Sequence, residues 1–299
     1  MNTSLIDLSE HHAMIGQVFE PAEDPANLEW QGFNDKELAF FQEHGYVKGG
    51  RVLGESQLAC LRSELETFFE PEHAGREFWY EYHRNEATAA NQVLFHALGA
   101  WRISPGFHDL LWHFPWLGRA CQLLNSSVRF WHDQLFCKPA RDGGVVAWHQ
   151  DYSYWTRTTP MAHLTCWIAL DDSTVENGCL HYVPGSHRWD LLPITGLAGD
   201  MEAITSILDD EQLSAFRQAV PVELSAGECV FHHPLMVHGS YENRSETARR
   251  ATVVNVMADG VASATDEVLL HGVPPLAAGQ AMSGRFFPLL HAVEPRTGQ

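Results

Sequence analysis

Lysine is nearly missing from this chain, with three residues in 299: Lys36, Lys48 and Lys138. All basic residues together number 19 against 38 acidic ones, a formal net charge of −19. Polyanions are held chiefly by Lys and Arg neutralising phosphates, so this balance argues against a nucleic-acid partner. Its plain meaning is solubility, with attraction of a cationic small molecule as the sharper reading. Also missing is an apolar run long enough to cross a bilayer, the most apolar stretch being Leu164 to Leu170. The opening residues, MNTSLIDLSEHHAMIGQVFEP, carry no basic region followed by an apolar one. A soluble, cytoplasmic protein with no membrane partner is expected. The six cysteines (Cys60, Cys121, Cys137, Cys166, Cys179, Cys229) include no C-x-x-C pair. That speaks against a zinc knuckle and, at this length, against a disulfide framework.

What is present can bury a sizeable core, the chain being 45% hydrophobic, and one domain over 31–299 suffices. Residues 1–30 are acidic and Pro-bearing without a period, and read as a tail or an arm laid over the domain. Asn34 opens a short amphipathic helix that breaks at Gly45. A second helix carries Leu58, Leu61, Leu65 and Phe68 on one face. A third is expected from about Phe107 to Leu124, after a turn at Ser104, Pro105 and Gly106. From about 128 to 260 the pattern changes to short β-rich runs cut by turn residues: VRFWHDQLFCK, VVAWHQDYSYW, HLTCWIALDD, CLHYVPGS, PVELSAGECVFHH, MVHGSYEN and RATVVNVMAD. Such strands predict a mainly β fold with flanking helices, a closed barrel or double-sheet jelly roll. Residues 191–219 interrupt them with helical or loop pattern, an insertion of the kind that carries specificity beside a binding mouth.

Eighteen histidines are uninformative until their spacing is read. In AWHQDYSYW, His149 and Asp151 stand two apart, so on a strand both side chains leave one face and can hold one ion. His238, on a later β-like run, can supply a third ligand from a neighbouring strand. Two histidines and a carboxylate on one face of an octahedron leave open positions, the arrangement of non-haem Fe(II) oxygenases. Alone, H-x-D is a weak signal, and its histidine is more often an ordinary hydrogen-bonded residue. His232, His233 and His238 offer a competing zinc cluster, but H-H-x4-H lacks the H-E-x-x-H base and a fourth ligand. His232 or His233 could equally pack beneath the site or hydrogen-bond a ligand. His181 and His187 read as structural, and Trp148, Tyr152, Tyr154, Trp155 and Trp167 mostly as core.

With Lys138-Pro139 and Gly143-Gly144 before the H-x-D, and ENGCLHYVPGSH and HGSYENRSETARR after it, the sequence resembles the phytanoyl-CoA dioxygenase family of Fe(II)/2-oxoglutarate oxygenases. The likeness runs from about Phe33, through an F-x-x-x-G-Y opening, to about Met257. It implies a double-stranded β-helix (jelly-roll, cupin-like) core. It implies His149, Asp151 and His238 as iron ligands. It assigns Arg249 to the far carboxylate of 2-oxoglutarate, Ser240 to its support, and Trp167 and Gln134 to lining the cosubstrate. Arginine suits that task by bidentate hydrogen bonding; the plain alternative for Arg249 is a surface ion pair. Arg250, one residue on, should face the other way.

The resemblance implies iron, 2-oxoglutarate and O2 acting together to hydroxylate a small molecule, or to desaturate it or close a ring, with release of succinate and CO2. Because residue 151 is aspartate, halogenation is not expected. A coenzyme A thioester finds few phosphate anchors in so acidic a chain, which favours a small polar or cationic metabolite or natural-product intermediate. The aromatic stretch Phe78 to Trp101 and the 191–219 insertion are expected to shape the mouth. A metal-binding cupin-like protein without turnover remains the other class, and would have no use for Arg249.

Overall fold

The structure is a computed structural model describing residues 6–19 and 32–293. Its described strands are β1 (Tyr46–Arg51), β2 (Glu81–His83), β3 (Phe95–Leu98), β4 (Val128–Lys138), β5 (Val146–His149), β6 (Thr158–Thr159), β7 (His163–Ala169), β8 (Leu180–Tyr182), β9 (Val220–Val222), β10 (Glu228–His232), β11 (His238–Ser240), β12 (Arg249–Ala258), β13 (Ala262–Ser263) and β14 (Leu289–His291). A large sheet runs β1-β10-β7-β12-β4-β3-β2 with β14 also on β4, a small sheet runs β5-β11-β8-β9, and β6 pairs with β13. The large sheet therefore draws strands from outside 128–260 as well. Every paired strand is antiparallel.

The two-residue period of β7 explains the layering. Leu164, Cys166 and Ile168 join the main core outside the large sheet, whereas Trp167 and Ala169 join a second cluster with Leu180, Tyr182 and Val222 of the small sheet. Both faces of β7 are thus covered, and all seven of its residues are buried. The small sheet's outer face is covered by the 191–219 insertion, whose Ile204 and Phe216 pack on Trp148, Val183 and Val237.

The outer core rests on the helices. Asn34 caps α1 (Asp35–His44) in a reciprocal box with Glu37, and Gly45 ends it at φ 81°. None of its side chains is fully buried; Leu38 and Phe41 only lean on the core. Helix α2 (Glu55–Phe68) buries Leu58, Leu61, Leu65 and Phe68. The third helix differs from expectation. It is two, α3 (Pro105–Leu110) and α4 (Phe114–Leu124), and the first begins at Pro105 instead of after that turn. Pro115 lacks an amide proton and its ring would strike the carbonyl four residues back, so one helix cannot run through it; at the start of α4 neither matters.

Residues 6–19 make polar contacts with later parts of the chain. Asp7 pairs with Arg102 and Arg285, and Ile15 and Gly16 donate backbone protons to Asp109. The rest of the expected 1–30 arm falls outside the described residues.

Candidate active site

β11 pairs with β5 so that His238 stands opposite His149. The strand ends at His149, and Asp151 instead opens a 3-10 turn, Asp151–Tyr154. The two-residue spacing still works because Gln150 between them stays extended, at φ −110° and ψ 132°. Gln150 points away and locks the ligand loop, accepting from Leu192 N at 2.7 Å and donating to Leu235 O at 3.0 Å.

Asp151 Oδ1 lies 3.3 Å from His149 Nε2 and 3.6 Å from His238 Nε2. One donor atom from each residue falls within 4.8 Å of the others. Three ligands on one octahedral face, at bonds of about 2.1 Å, stand about 3 Å apart, so this donor set fits a first-row metal ion with little adjustment. Each imidazole is aimed by its far nitrogen. His149 Nδ1 donates to Ala147 O at 2.8 Å and His238 Nδ1 to Met236 O at 2.9 Å. A carbonyl can only accept, so the proton sits on Nδ1 and the Nε2 lone pair faces the ion position.

Asp151 is oriented in the same way. Its Oδ2 accepts from Thr165 Oγ1 at 2.6 Å and from His232 Nε2 at 3.0 Å, leaving Oδ1 toward the histidines. Tyr182, buried under Tyr46, sits with its hydroxyl 2.9 Å from His232 Nδ1. Burial pushes the Asp151 carboxyl up, but the neighbouring His238 and the hydrogen bond from His232 outweigh it and hold it well below its usual range. Burial, and then the neighbouring His149 and His232, push His238 well down. The pair is thus a carboxylate and a neutral imidazole, the forms that bind metal. With both ring nitrogens of His232 engaged, and His233 turned away against His187 at 5.5 Å, the alternative zinc cluster does not form.

Arg249 opens β12 in register with Lys138 and is 1% exposed. Its guanidinium lies 5.3 Å from the Trp167 ring, and its buried Nε has no hydrogen-bond partner. Among the described residues no carboxylate forms an ion pair with it, so the surface ion-pair reading is replaced by a buried, uncompensated cation. Burial lowers it to about 10, which leaves it charged at neutral pH. Arg250 does face the other way, onto Asp171 at 2.8 Å and Glu66 at 2.6 Å. Ser240 Oγ accepts from Lys138 Nζ at 2.6 Å. Gln134 turns its Oε1 to His96 Nε2 at 2.9 Å, and His96 Nδ1 lies 2.6 Å from Glu86 Oε2.

A single cavity of about 250 Å³ is lined by all seven residues singled out from the sequence: Gln134, His149, Asp151, Trp167, His238, Ser240 and Arg249. Glu81, Glu86, His96 and Leu98 from the 78–101 stretch and Leu197 from the insertion also line it. Sequence reasoning passed over Thr165, Arg157, Leu269 and Leu270, which line it too. Thr165 was legible in principle, because it lies two residues before Trp167 on the same face of β7. The Leu269–Leu270 loop was not: Arg157 reaches Val268 O and Leu269 O across more than a hundred residues.

Comparison with known proteins identifies the family. Residues 41–251 match the family model for phytanoyl-CoA dioxygenase (PhyH). Phytanoyl-CoA dioxygenase 1 of Oryza sativa subsp. japonica is 32% identical over 275 residues, covering 81% of this chain and 95% of that protein. Against the phytanoyl-CoA dioxygenase of Arabidopsis thaliana and a probable one of Caenorhabditis elegans, the chain spans 45% and 41% of the relative's length. The non-heme alpha ketoglutarate dependent carbocyclase SnoK from nogalamycin biosynthesis superposes with a TM-score of 0.68 at 26% identity, covering 86% of this chain and 96% of that one. The epimerase SnoN, in complex with Fe3+, alpha ketoglutarate and nogalamycin RO, gives 0.67 at 26% identity, covering 90% and 100%. No helix among the described residues is long and apolar enough to cross a membrane. A 2-His-1-Asp cluster and an uncompensated arginine lining one cavity of a jelly roll, in a chain whose residues 41–251 match the family model, place it in the phytanoyl-CoA dioxygenase family of non-haem iron, 2-oxoglutarate-dependent oxygenases.

Proposed function

We propose that this protein hydroxylates an unactivated C–H bond of a small molecule, consuming one O2 and one 2-oxoglutarate and releasing succinate and CO2. One oxygen atom enters the substrate and the other enters succinate, so the equation balances without a further reductant. Bound iron supplies the activation of O2. His149, Asp151 Oδ1 and His238 would hold the metal, and Arg249 would hold the far carboxylate of the cosubstrate. The observation that carries the reading is Arg249. A buried cation without an anion is costly, and its presence in the metal cavity points to a carboxylate-bearing ligand. A metal-storing or structural cupin would gain nothing from it.

The chain's own groups divide the remaining work. The carbonyls of Ala147 and Met236 keep the ligand histidines from turning. Trp167 packs on the arginine, and the side chains of Tyr154, Leu197, Leu269 and Leu270 line the cavity and limit water. The cavity of about 250 Å³ is below the roughly 300–1,000 Å³ of sites that enclose drug-sized ligands, and the cosubstrate must share it. Only a small part of the substrate is enclosed. Glu81 and Glu86 in the cavity lining disfavour a phosphate-bearing thioester and suit an uncharged or cationic metabolite or natural-product intermediate. The two neighbours from nogalamycin biosynthesis support a natural-product setting.

The test is anaerobic titration of the protein with Fe(II) and then 2-oxoglutarate, followed by visible absorbance. A charge-transfer band that vanishes in Arg249→Ala and His238→Ala is expected. No band in protein shown to retain iron would refute the cosubstrate site. Once a substrate is found, product mass separates hydroxylation, which adds one oxygen, from desaturation or ring closure, which removes two hydrogens.

A further inference from the structure

Lys138 is the one described lysine that is completely buried, at 0% exposure. Its side chain leaves β4 on the same face as Gln134 and Phe136, toward the small sheet, and it stands beside Arg249 in the strand register. Its ammonium reaches three acceptors: Ser240 Oγ at 2.6 Å, Ser240 O at 3.1 Å and Tyr241 O at 2.5 Å. It forms no ion pair with any described carboxylate. Two basic side chains thus lie side by side behind the metal cavity with no described carboxylate paired to either; burial, then the Arg249 charge, lower Lys138, and three oxygen acceptors, one for each proton of an ammonium, hold its charge.

The chain is built tightly around this group. Gly178, at φ 82°, crosses so close that an added Cβ would stand 2.3 Å from Tyr241 O and 3.2 Å from Lys138 Nζ. The Gly178 backbone therefore packs close against Tyr241 O and the ammonium. Asn243 Nδ2 donates to Lys138 O from the other side at 3.2 Å.

The hydrogen-bond inventory then fixes a direction. Ser240 Oγ has one proton and two lone pairs. One lone pair is taken by the ammonium, which can only donate, so the hydroxyl proton must point elsewhere, and Ser240 also lines the cavity beside Arg249. We propose that Lys138 is a positioning residue for the cosubstrate: it sets Ser240 as a donor toward the far carboxylate held by Arg249, and adds a second positive charge to that pocket. Lys138 does not touch the cosubstrate; it acts through Ser240 and through its field. The pocket therefore selects a 2-oxo acid that carries a second carboxylate over one that does not. This rests on the 2-oxoglutarate reading above.

The experiment measures apparent affinity by the charge-transfer band in anaerobic Fe(II)-loaded protein. The probes are 2-oxoglutarate and 2-oxobutanoate, which offers iron the same keto-acid end without the distal carboxylate. In Lys138→Met, affinity for 2-oxoglutarate should fall at least tenfold while affinity for 2-oxobutanoate stays within about twofold. Lys138→Arg should recover part of the loss, and combining Lys138→Met with Ser240→Ala should cost less than the product of the two single losses. An equal loss for both acids indicates a merely structural lysine and overturns the proposal, as do unchanged affinities or fully multiplicative losses. If Lys138→Met is unfolded by circular dichroism, Lys138→Gln, which keeps a donor without the charge, is held to the selective loss of 2-oxoglutarate affinity. No band with either acid in the wild-type protein would instead remove the cosubstrate site itself.

Discussion

Replacing Arg249 by methionine should make the protein more stable and inactive at once. Arg249 is 1% exposed, its Nε lacks a partner, and no described carboxylate pairs with it. An uncompensated buried charge costs about 3–5 kcal/mol. The contact with Trp167 at 5.3 Å returns about 1–2 kcal/mol of that. Methionine keeps most of the apolar stem in the cavity, so the net gain for the cosubstrate-free protein is about 1–4 kcal/mol. At roughly 2 °C per kcal/mol, the low end suited to a chain of this length, the melting temperature should rise by about 2–8 °C. Saturating 2-oxoglutarate should reverse the order. At one thousand times its Kd it adds about 4.1 kcal/mol to the wild type and nothing to the variant. The assay is thermal unfolding of anaerobic Fe(II)-loaded protein by circular dichroism, with and without 2-oxoglutarate. If the variant melts at or below the wild type without cosubstrate, the argument from an uncompensated cation fails.

Asp151→Ala should abolish both iron binding and succinate formation, read by metal content and by chromatography; full turnover would remove Asp151 from the ligand set. His232→Phe takes away one hydrogen bond from Asp151 Oδ2 without touching the metal, and should weaken Fe(II) affinity about 10–100-fold. Gly178→Ala places a Cβ 2.3 Å from Tyr241 O at φ 82°, so a loss of at least 2 kcal/mol in denaturant unfolding is expected, by order of magnitude for a strained, clashing site. Burial lowers His132 to about 4, His163 to about 3 and His233 to about 4, from 6.5. The unfolded chain therefore binds more protons below pH 6.5. Burial raises Asp133 to about 6, from 3.8, which acts in the opposite sense between those values. Three histidines outweigh one aspartate, and stability should be fully present above about pH 7 and fall by several kcal/mol as pH drops from 7 to 5, checked by urea midpoints. A flat profile across that window would contradict it.

Legibility in the sequence followed the range of the interaction. The run VRFWHDQLFCK spans β4 residue for residue, because β-branched and aromatic residues there are bounded by Pro139 and by the polar Asn125-Ser126-Ser127. The H-x-D spacing survived even though the strand stops at His149, since only Gln150 had to stay extended. The opposite orientations of Arg249 and Arg250 follow from the alternation of a strand. What escaped were features set by partners far along the chain. Strand β1 exists because β10 pairs with it across about 180 residues, and β3 because β4 does; neither carries a clear alternating pattern of its own. Pro115 was visible as a helix breaker and was passed over in favour of one long helix. Lys138 was noticed as part of a motif, yet nothing local to it tells that its ammonium ends on Ser240, 102 positions away.

The division of the site between two layers has a mechanical side. His149 and His238 belong to β5 and β11 of the small sheet, whereas Arg249, Trp167 and Gln134 belong to β12, β7 and β4 of the large one. A ligand gripped by the metal at one end and by the arginine at the other is a cross-brace between two walls that otherwise meet through side-chain packing and a few bridges such as Lys138 to Ser240. Slack in the spacing of the walls becomes slack in the distance from metal to arginine. The length of the dicarboxylate is then a gauge for the barrel, and its arrival should stiffen strands on both walls together.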